Sequence, residues 1–60
     1  MDALKITEKA HALVEQHGDA VEGFANDQLK AAEAAGLHDA VREWEALLEA
    51  IAHLRGKSPA

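Results

Sequence analysis

The sequence predicts an all-α protein built as a three-helix up-down-up bundle. Apolar residues recur every three or four positions along most of the chain, which is the spacing of one helix face. The pattern stops at glycines, and glycine just past a helix end adopts the left-handed conformation without steric cost. These glycines are Gly18, Gly36 and Gly56. We therefore expect a single domain over 1–60, with helices at about 3–17, 20–35 and 39–55 and a tail at 56–60.

The first predicted helix has an apolar side at helical spacing, formed by Ile6, Ala10, Leu13, Val14 and His17. Its start is ambiguous, because either Asp2 or Thr7 can supply the N-terminal cap. His17 at its end has two readings. It can stabilise the helix end by favouring the negative end of the dipole, bonding the last carbonyl groups or reaching Asp19. It can also act as a titrating switch.

The second predicted helix begins at a capping box. In this motif the Asp19 carboxylate accepts a hydrogen bond from a backbone N–H of the first turn, and the Glu22 side chain reaches back to the backbone N–H of Asp19. Its apolar stripe consists of Val21, Phe24, Ala25, Leu29, Ala32 and Ala35. Gly23 weakens its first turns by up to ~1 kcal/mol. Gly36 closes the helix at positive φ, and Leu37 is placed to fold back onto it as in a Schellman turn.

The third predicted helix has the widest apolar face, formed by Ala40, Val41, Trp44, Leu47, Leu48, Ile51 and Leu54. One neighbouring helix cannot cover this face, which indicates a three-helix core or a further partner. Each large aliphatic side chain left in water forgoes about 1.5–3 kcal/mol. A symmetric dimer would bury the surplus. We expect the dimer or partner interface at Val41, Trp44, Leu48 and Leu54. For Trp44, the sequence leaves open whether the side chain lies in the core or at this interface.

Charge and hydropathy exclude two classes of partner. The net charge is −5, and the six basic residues are scattered with no two adjacent, so a phosphate-binding face is not expected. No apolar run approaches the ~20 residues of a membrane span. The N-terminal residues lack a basic region followed by an apolar run, so no secretion signal is expected and a cytoplasmic location follows.

Four histidines raise the question of a metal site. Metal ligands on one helix need a spacing of three or four, whereas His11 and His17 are six apart. His38 falls in a turn. Glu49 and His53 have a four-residue spacing, which is also that of an ordinary surface pair. We expect no metal site and no cofactor.

Catalytic chemistry has few residues available. The chain has no cysteine and no tyrosine, and its hydroxyl groups are those of Thr7 and Ser58. Neither hydroxyl lies beside a histidine in the sequence, and no nucleophile elbow or phosphate-binding glycine loop is present. We expect that the protein is not an enzyme.

One family resemblance spans most of the chain, from about residue 10 to residue 54. The shared residues are His17, Gly18, Ala20, Phe24, Leu29, Gly36, Val41, Trp44 and Leu54. In this pattern the chain resembles short bacterial helical proteins classed as a domain of unknown function. The resemblance implies a stand-alone cytoplasmic protein of a bacterium, and it transfers neither an activity nor functional residues.

The function expected from the sequence is a small protein-binding or regulatory module without catalytic activity, acting on a protein partner or on a second copy of itself. A structural accessory subunit of a larger bacterial complex is the alternative. A metal or small-ligand binder is a third hypothesis, which a thermal shift with divalent metals would reveal.

Overall fold

The computed structural model describes residues 3–56, with side chains from Leu4 onward, and all of its regular structure is helical. The elements are α1 (Ala3–His17), a 3-10 turn (Gly18–Ala20), α2 (Val21–Ala35) and α3 (His38–Leu54). The prediction of an all-α fold is therefore confirmed over these residues. The proposed cap at Asp2 and the tail beyond Gly56, including Ser58, lie outside them.

The prediction of three helices separated by turns is wrong at the first junction. Residues 18–20 keep a helical hydrogen-bonding pattern, and Val21 N–H donates to Gly18 O. Every residue from 3 to 35 thus belongs to an α-helix or to the 3-10 turn that joins α1 to α2. Within the described chain there are two such continuous stretches, 3–35 and 38–54, and α1 and α2 belong to the same one.

The first stretch nevertheless bends sharply at Gly18. Gly18 has a φ of 58°, in the left-handed region. The rings of His17 and Phe24 are stacked, with centroids 4.1 Å apart and planes at 16°. In a straight helix, residues seven apart would be separated by about 10 Å along the axis. The bend at Gly18 is what turns α2 back towards the end of α1.

The second junction has the predicted Schellman geometry. Gly36 has a φ of 71°. Its N–H donates to Glu33 O at 3.1 Å, and Leu37 N–H donates to Ala32 O at 3.0 Å. Leu37 is 56 % exposed, so it is not buried against α2 as a hydrophobic contact of the Schellman turn would require. Only Gly36 and Leu37 lie between α2 and α3, so two residues reverse the chain at this junction.

The core lies where α3 packs against both α1 and α2. α2 and α3 are antiparallel, because Arg55 just beyond α3 contacts Asp19 and Glu22 around the start of α2. The buried residues of the described chain are Ala10, Leu13, Val21, Ala25, Ala32, Leu47 and Ile51. Three of these seven are alanines, so the hydrophobic core is small.

The helices are also short. None of them, over the part of the chain that the structure describes, combines the length and the apolar character that crossing a membrane requires.

Candidate protein-binding groove

The four interface residues expected from the sequence do not share one face of α3. Val41, Trp44 and Leu48 are partly buried, and Leu54 is 38 % exposed. At about 100° per residue, Val41 and Leu54 are separated by about 140° around the helix axis. Val41 lines a small depression at the end of α2, together with Glu33, Gly36 and His38. Leu54 instead lies beside α1, so the set divides between two flanks.

Trp44 makes several contacts within the chain. It packs against the core, and its ring meets the Phe24 ring edge-on, with centroids 5.9 Å apart. Lys9 Nζ lies 5.4 Å from the Trp44 ring centroid and forms an ion pair with Glu43 Oε1 at 2.7 Å. A cation over an indole face is a stabilising arrangement. Trp44 therefore joins α1, α2 and α3 as a partly buried packing residue.

The predicted capping box at the start of α2 is absent. Ala20, not Asp19, precedes the helix, and no side chain caps α2 there. A capping residue needs non-helical backbone angles, whereas Asp19 lies inside the 3-10 turn. The Asp19 carboxylate binds Arg55 instead, and the His17 ring stacks on Phe24. No hydrogen bond or ion pair joins His17 to Asp19 among the described residues, although the sequence analysis expected His17 to be able to reach Asp19.

Arg55 ties the end of α3 to the first junction, a role that sequence reasoning missed. Its Nη1 donates to Gly18 O at 3.1 Å, and its Nη2 donates to Asp19 Oδ1 at 3.1 Å. Its Nε lies 3.3 Å from Glu22 Oε1. These partners are more than thirty positions away, so no local spacing could have identified them.

A groove of about 500 Å³ runs between α1 and α3. It is lined by Ile6, Thr7, Ala46, Glu49, Ala50, His53 and Leu54. Ala46, Ala50 and Leu54 stand at every fourth position of α3 and therefore form one ridge along it. The small alanine side chains leave the groove open, and Leu54 stands exposed at one end. The result is an apolar floor flanked by three polar side chains.

Those three polar side chains are Thr7, Glu49 and His53, which folding brings to one groove from two distant segments. Within the described residues, no hydrogen bond joins the His53 imidazole to Thr7 or to Glu49. No group of three or more histidine, aspartate or glutamate residues in the described chain is placed to hold a metal ion.

No protein-family model, curated protein or solved structure matches this chain. The resemblance to short bacterial helical proteins stays a prediction.

Proposed function

We propose that the protein is a small protein-binding or regulatory module that docks another polypeptide in the groove between α1 and α3. The observation that supports this most directly is the combination of an alanine floor with an exposed leucine at its end. An open apolar channel between two helices is the geometry in which amphipathic helices dock. Of the four interface residues expected from the sequence, the proposal retains Leu54.

The chemistry of the lining favours a polypeptide over a small ligand. Small-molecule sites combine apolar walls with a few precisely placed polar groups, usually in a largely enclosed cavity. No polar or charged residue of the described chain is buried, and the polar groups of the groove flank its apolar floor. Apolar side chains of a partner helix need no buried polar group.

A structural accessory subunit is the second candidate, and the small core favours it. A single core at this chain length rarely supplies more than about 3–5 kcal/mol, and three of the seven buried residues here are alanines. An accessory subunit should melt without cooperativity until its partner is added. A free regulatory module should melt cooperatively when purified alone.

The proposal includes the up-down-up order of the three helices and a location in a bacterial cytoplasm. The sharp bend at Gly18 and the antiparallel pairing of α2 with α3 support the helix order. The location rests on the N-terminal sequence, in which no basic region is followed by an apolar run.

The test is affinity purification from the native host with two matched variants. Ala46→Glu places a carboxylate on the groove floor, whereas Ala31→Glu places the same group on an exposed position of α2. We expect proteins that co-purify with the wild type to be lost with Ala46→Glu and retained with Ala31→Glu. Circular dichroism establishes that both variants remain helical. Identical sets of proteins with all three baits would refute the groove as the binding surface.

A further inference from the structure

The bend between α1 and α2 differs from a continuous helix mainly at one residue. Among the described residues from 3 to 35, Gly18 has a positive φ, of 58°, and every other φ is negative. The φ angles beside it are −108° at His17, −85° at Ala20 and −60° at Val21, with ψ in the right-handed region. Glycine occupies the left-handed and right-handed regions with similar ease. A rotation of Gly18, with small adjustments beside it, therefore converts the bend into one straight helix.

The junction between α2 and α3 does not have this property. Gly36 has a φ of 71°, and the adjacent Leu37 has a φ of −88° and a ψ of 81°, outside the helical region. Two consecutive residues must change before α2 and α3 can join into one helix. This turn is also closed by its own backbone hydrogen bonds to Ala32 and Glu33. The single-residue hinge of the described chain therefore lies at Gly18.

The bend is held by contacts at the junction itself. The Gly18 carbonyl oxygen accepts a hydrogen bond from Arg55 Nη1 at 3.1 Å. In a continuous α-helix, the same oxygen accepts from the backbone N–H of Glu22. Straightening also separates the stacked rings of His17 and Phe24, because residues seven apart lie about 10 Å apart along a helix axis. The bent and straight forms thus differ in a small number of contacts around Gly18.

Straightening removes α1 from α3, and a second copy of the chain can replace it. α1 makes more of its contacts with α3 than with α2. Its Ala10 and Leu13 lie in one core cluster with Leu47 and Ile51 of α3, so a straight chain alone leaves these side chains in water. α1 of a second copy presents the same side chains to the same face of α3. Exchange of an identical element between two copies recovers the contacts outside the hinge.

We infer that Gly18 is a hinge between the bent monomer and a domain-swapped dimer. In the dimer, residues 3–35 of each copy form one straight helix, and α1 of each copy packs on α3 of the partner subunit. Short hinge segments are the usual sites of such exchange. The inference does not depend on what the groove binds, because the swap rebuilds the groove between α1 of one copy and α3 of the other.

Two glycine variants test the hinge by sedimentation equilibrium after refolding at concentrations up to the millimolar range. Gly18→Ala strains the left-handed backbone of the monomer, and straightening relieves that strain in both chains. We therefore expect its dimerisation constant to exceed that of the wild type by at least about thirtyfold. Gly36→Ala is the matched control, because it carries the same kind of strain without a single-residue hinge. Its dimerisation constant should stay within about threefold of the wild type.

A distance within one chain shows whether the dimer is swapped. The native chain has no cysteine, so Glu8→Cys and Ala31→Cys add two labelling sites at exposed positions of α1 and α2. Spin labels on these sites are measured by electron–electron double resonance, with labelled chains diluted into unlabelled Gly18→Ala chains. A straight helix separates residues 8 and 31 by about 34 Å along its axis. We expect this separation in the Gly18→Ala dimer and a clearly shorter one in the wild-type monomer.

Three outcomes overturn the inference. They are a Gly18→Ala protein that dimerises no more than the wild type, equal dimerisation of Gly18→Ala and Gly36→Ala, and a dimer that keeps the short distance within each chain. If Gly18→Ala fails to fold, Arg55→Ala takes its place, because it removes the hydrogen bond to Gly18 without changing the hinge. A higher dimer fraction with the long distance then supports the hinge, and an unchanged monomer overturns it.

Discussion

The two junctions between helices reverse the chain by different physical means. At residues 36–37 the reversal is local, since Gly36 and Leu37 satisfy the last carbonyl groups of α2 through their own backbone N–H groups. At residues 18–20 helical structure continues through the junction, and Arg55 from the far end of α3 bonds Gly18 and Asp19. The first junction therefore depends on tertiary contacts and the second does not.

Both junctions lie at glycines that the sequence predicted, and both glycines have a positive φ, but the contacts that complete the junction could be predicted only at Gly36. A Schellman turn is encoded by residues within six positions of one another, with a glycine at the left-handed position. A capping box is equally local, and Asp19 with Glu22 has its spacing. Both carboxylates lie beside Arg55 instead, so a local signal was overridden by a distant one. A local sequence motif is therefore a less reliable predictor where folding brings a basic residue from elsewhere in the chain next to it.

The largest effect is expected at the second junction, from Gly36→Val. Apart from Gly36 and its two neighbours in the chain, no atom of the described residues lies within 4 Å of the position that a Cβ would take, so the cost comes from the left-handed backbone and not from a clash. A β-branched residue held there should lower the free energy of unfolding by about 2 kcal/mol. Thermal or urea denaturation measures it. Gly36→Asn should cost clearly less, because asparagine tolerates this conformation, and equal losses would point to another cause.

At the first junction, Arg55→Ala should lower the free energy of unfolding by about 1–2 kcal/mol. The change removes a charge-assisted hydrogen bond and two carboxylate contacts of a side chain that is 21 % exposed. Arg55→Lys should recover little, since one ammonium group cannot make all three contacts. Arg42→Ala at an exposed position is the control, with an effect below about 0.5 kcal/mol. Similar urea midpoints for both alanine variants would show that the junction does not depend on Arg55.

Two glycine-to-alanine changes should have opposite signs. Gly18→Ala meets a φ of 58° and should cost about 1 kcal/mol. Gly23→Ala lies inside α2. Apart from the neighbouring backbone of α2, no atom of the described residues lies within 4 Å of the added Cβ, so this change should stabilise the protein by about 0.5–1 kcal/mol. Differential scanning calorimetry on the pair provides the comparison. Destabilisation by Gly23→Ala would mean that a second chain packs closely on that face.

The smallest effect is expected from Asp19→Ala. This change tests whether Asp19 caps α2, as the sequence predicted, or only pairs with Arg55, as in the structure. Loss of a capping residue typically costs about 1 kcal/mol. The Asp19 side chain is fully exposed, and such ion pairs contribute little to stability. We expect a melting temperature close to that of the wild type, and no further loss when the change is added to Arg55→Ala. A loss of stability as large as that of a capping residue, and independent of Arg55, would show that Asp19 caps α2 as the sequence predicted.

The groove shows how far sequence reasoning could go towards the candidate site. Leu54 was expected at an interface, and the structure leaves it exposed at the end of the groove. It was grouped with Val41 and Trp44 because all three are apolar. The four-residue spacing of Ala46, Ala50 and Leu54 was present in the sequence and could have indicated a separate ridge. The contribution of Ile6 could not have been foreseen, because it depends on how α1 crosses α3.

The sequence by itself determined the helical class and the turn at Gly36, because both depend on periodicity and on backbone preferences within a few residues. Only the tertiary structure decided that α1 and α2 form one bent stretch, that Asp19 serves Arg55, and that Trp44 packs within the chain. It also decided that an open groove remains between α1 and α3. Each of these features joins residues that are distant along the chain, and their contact depends on the packing angle of whole helices.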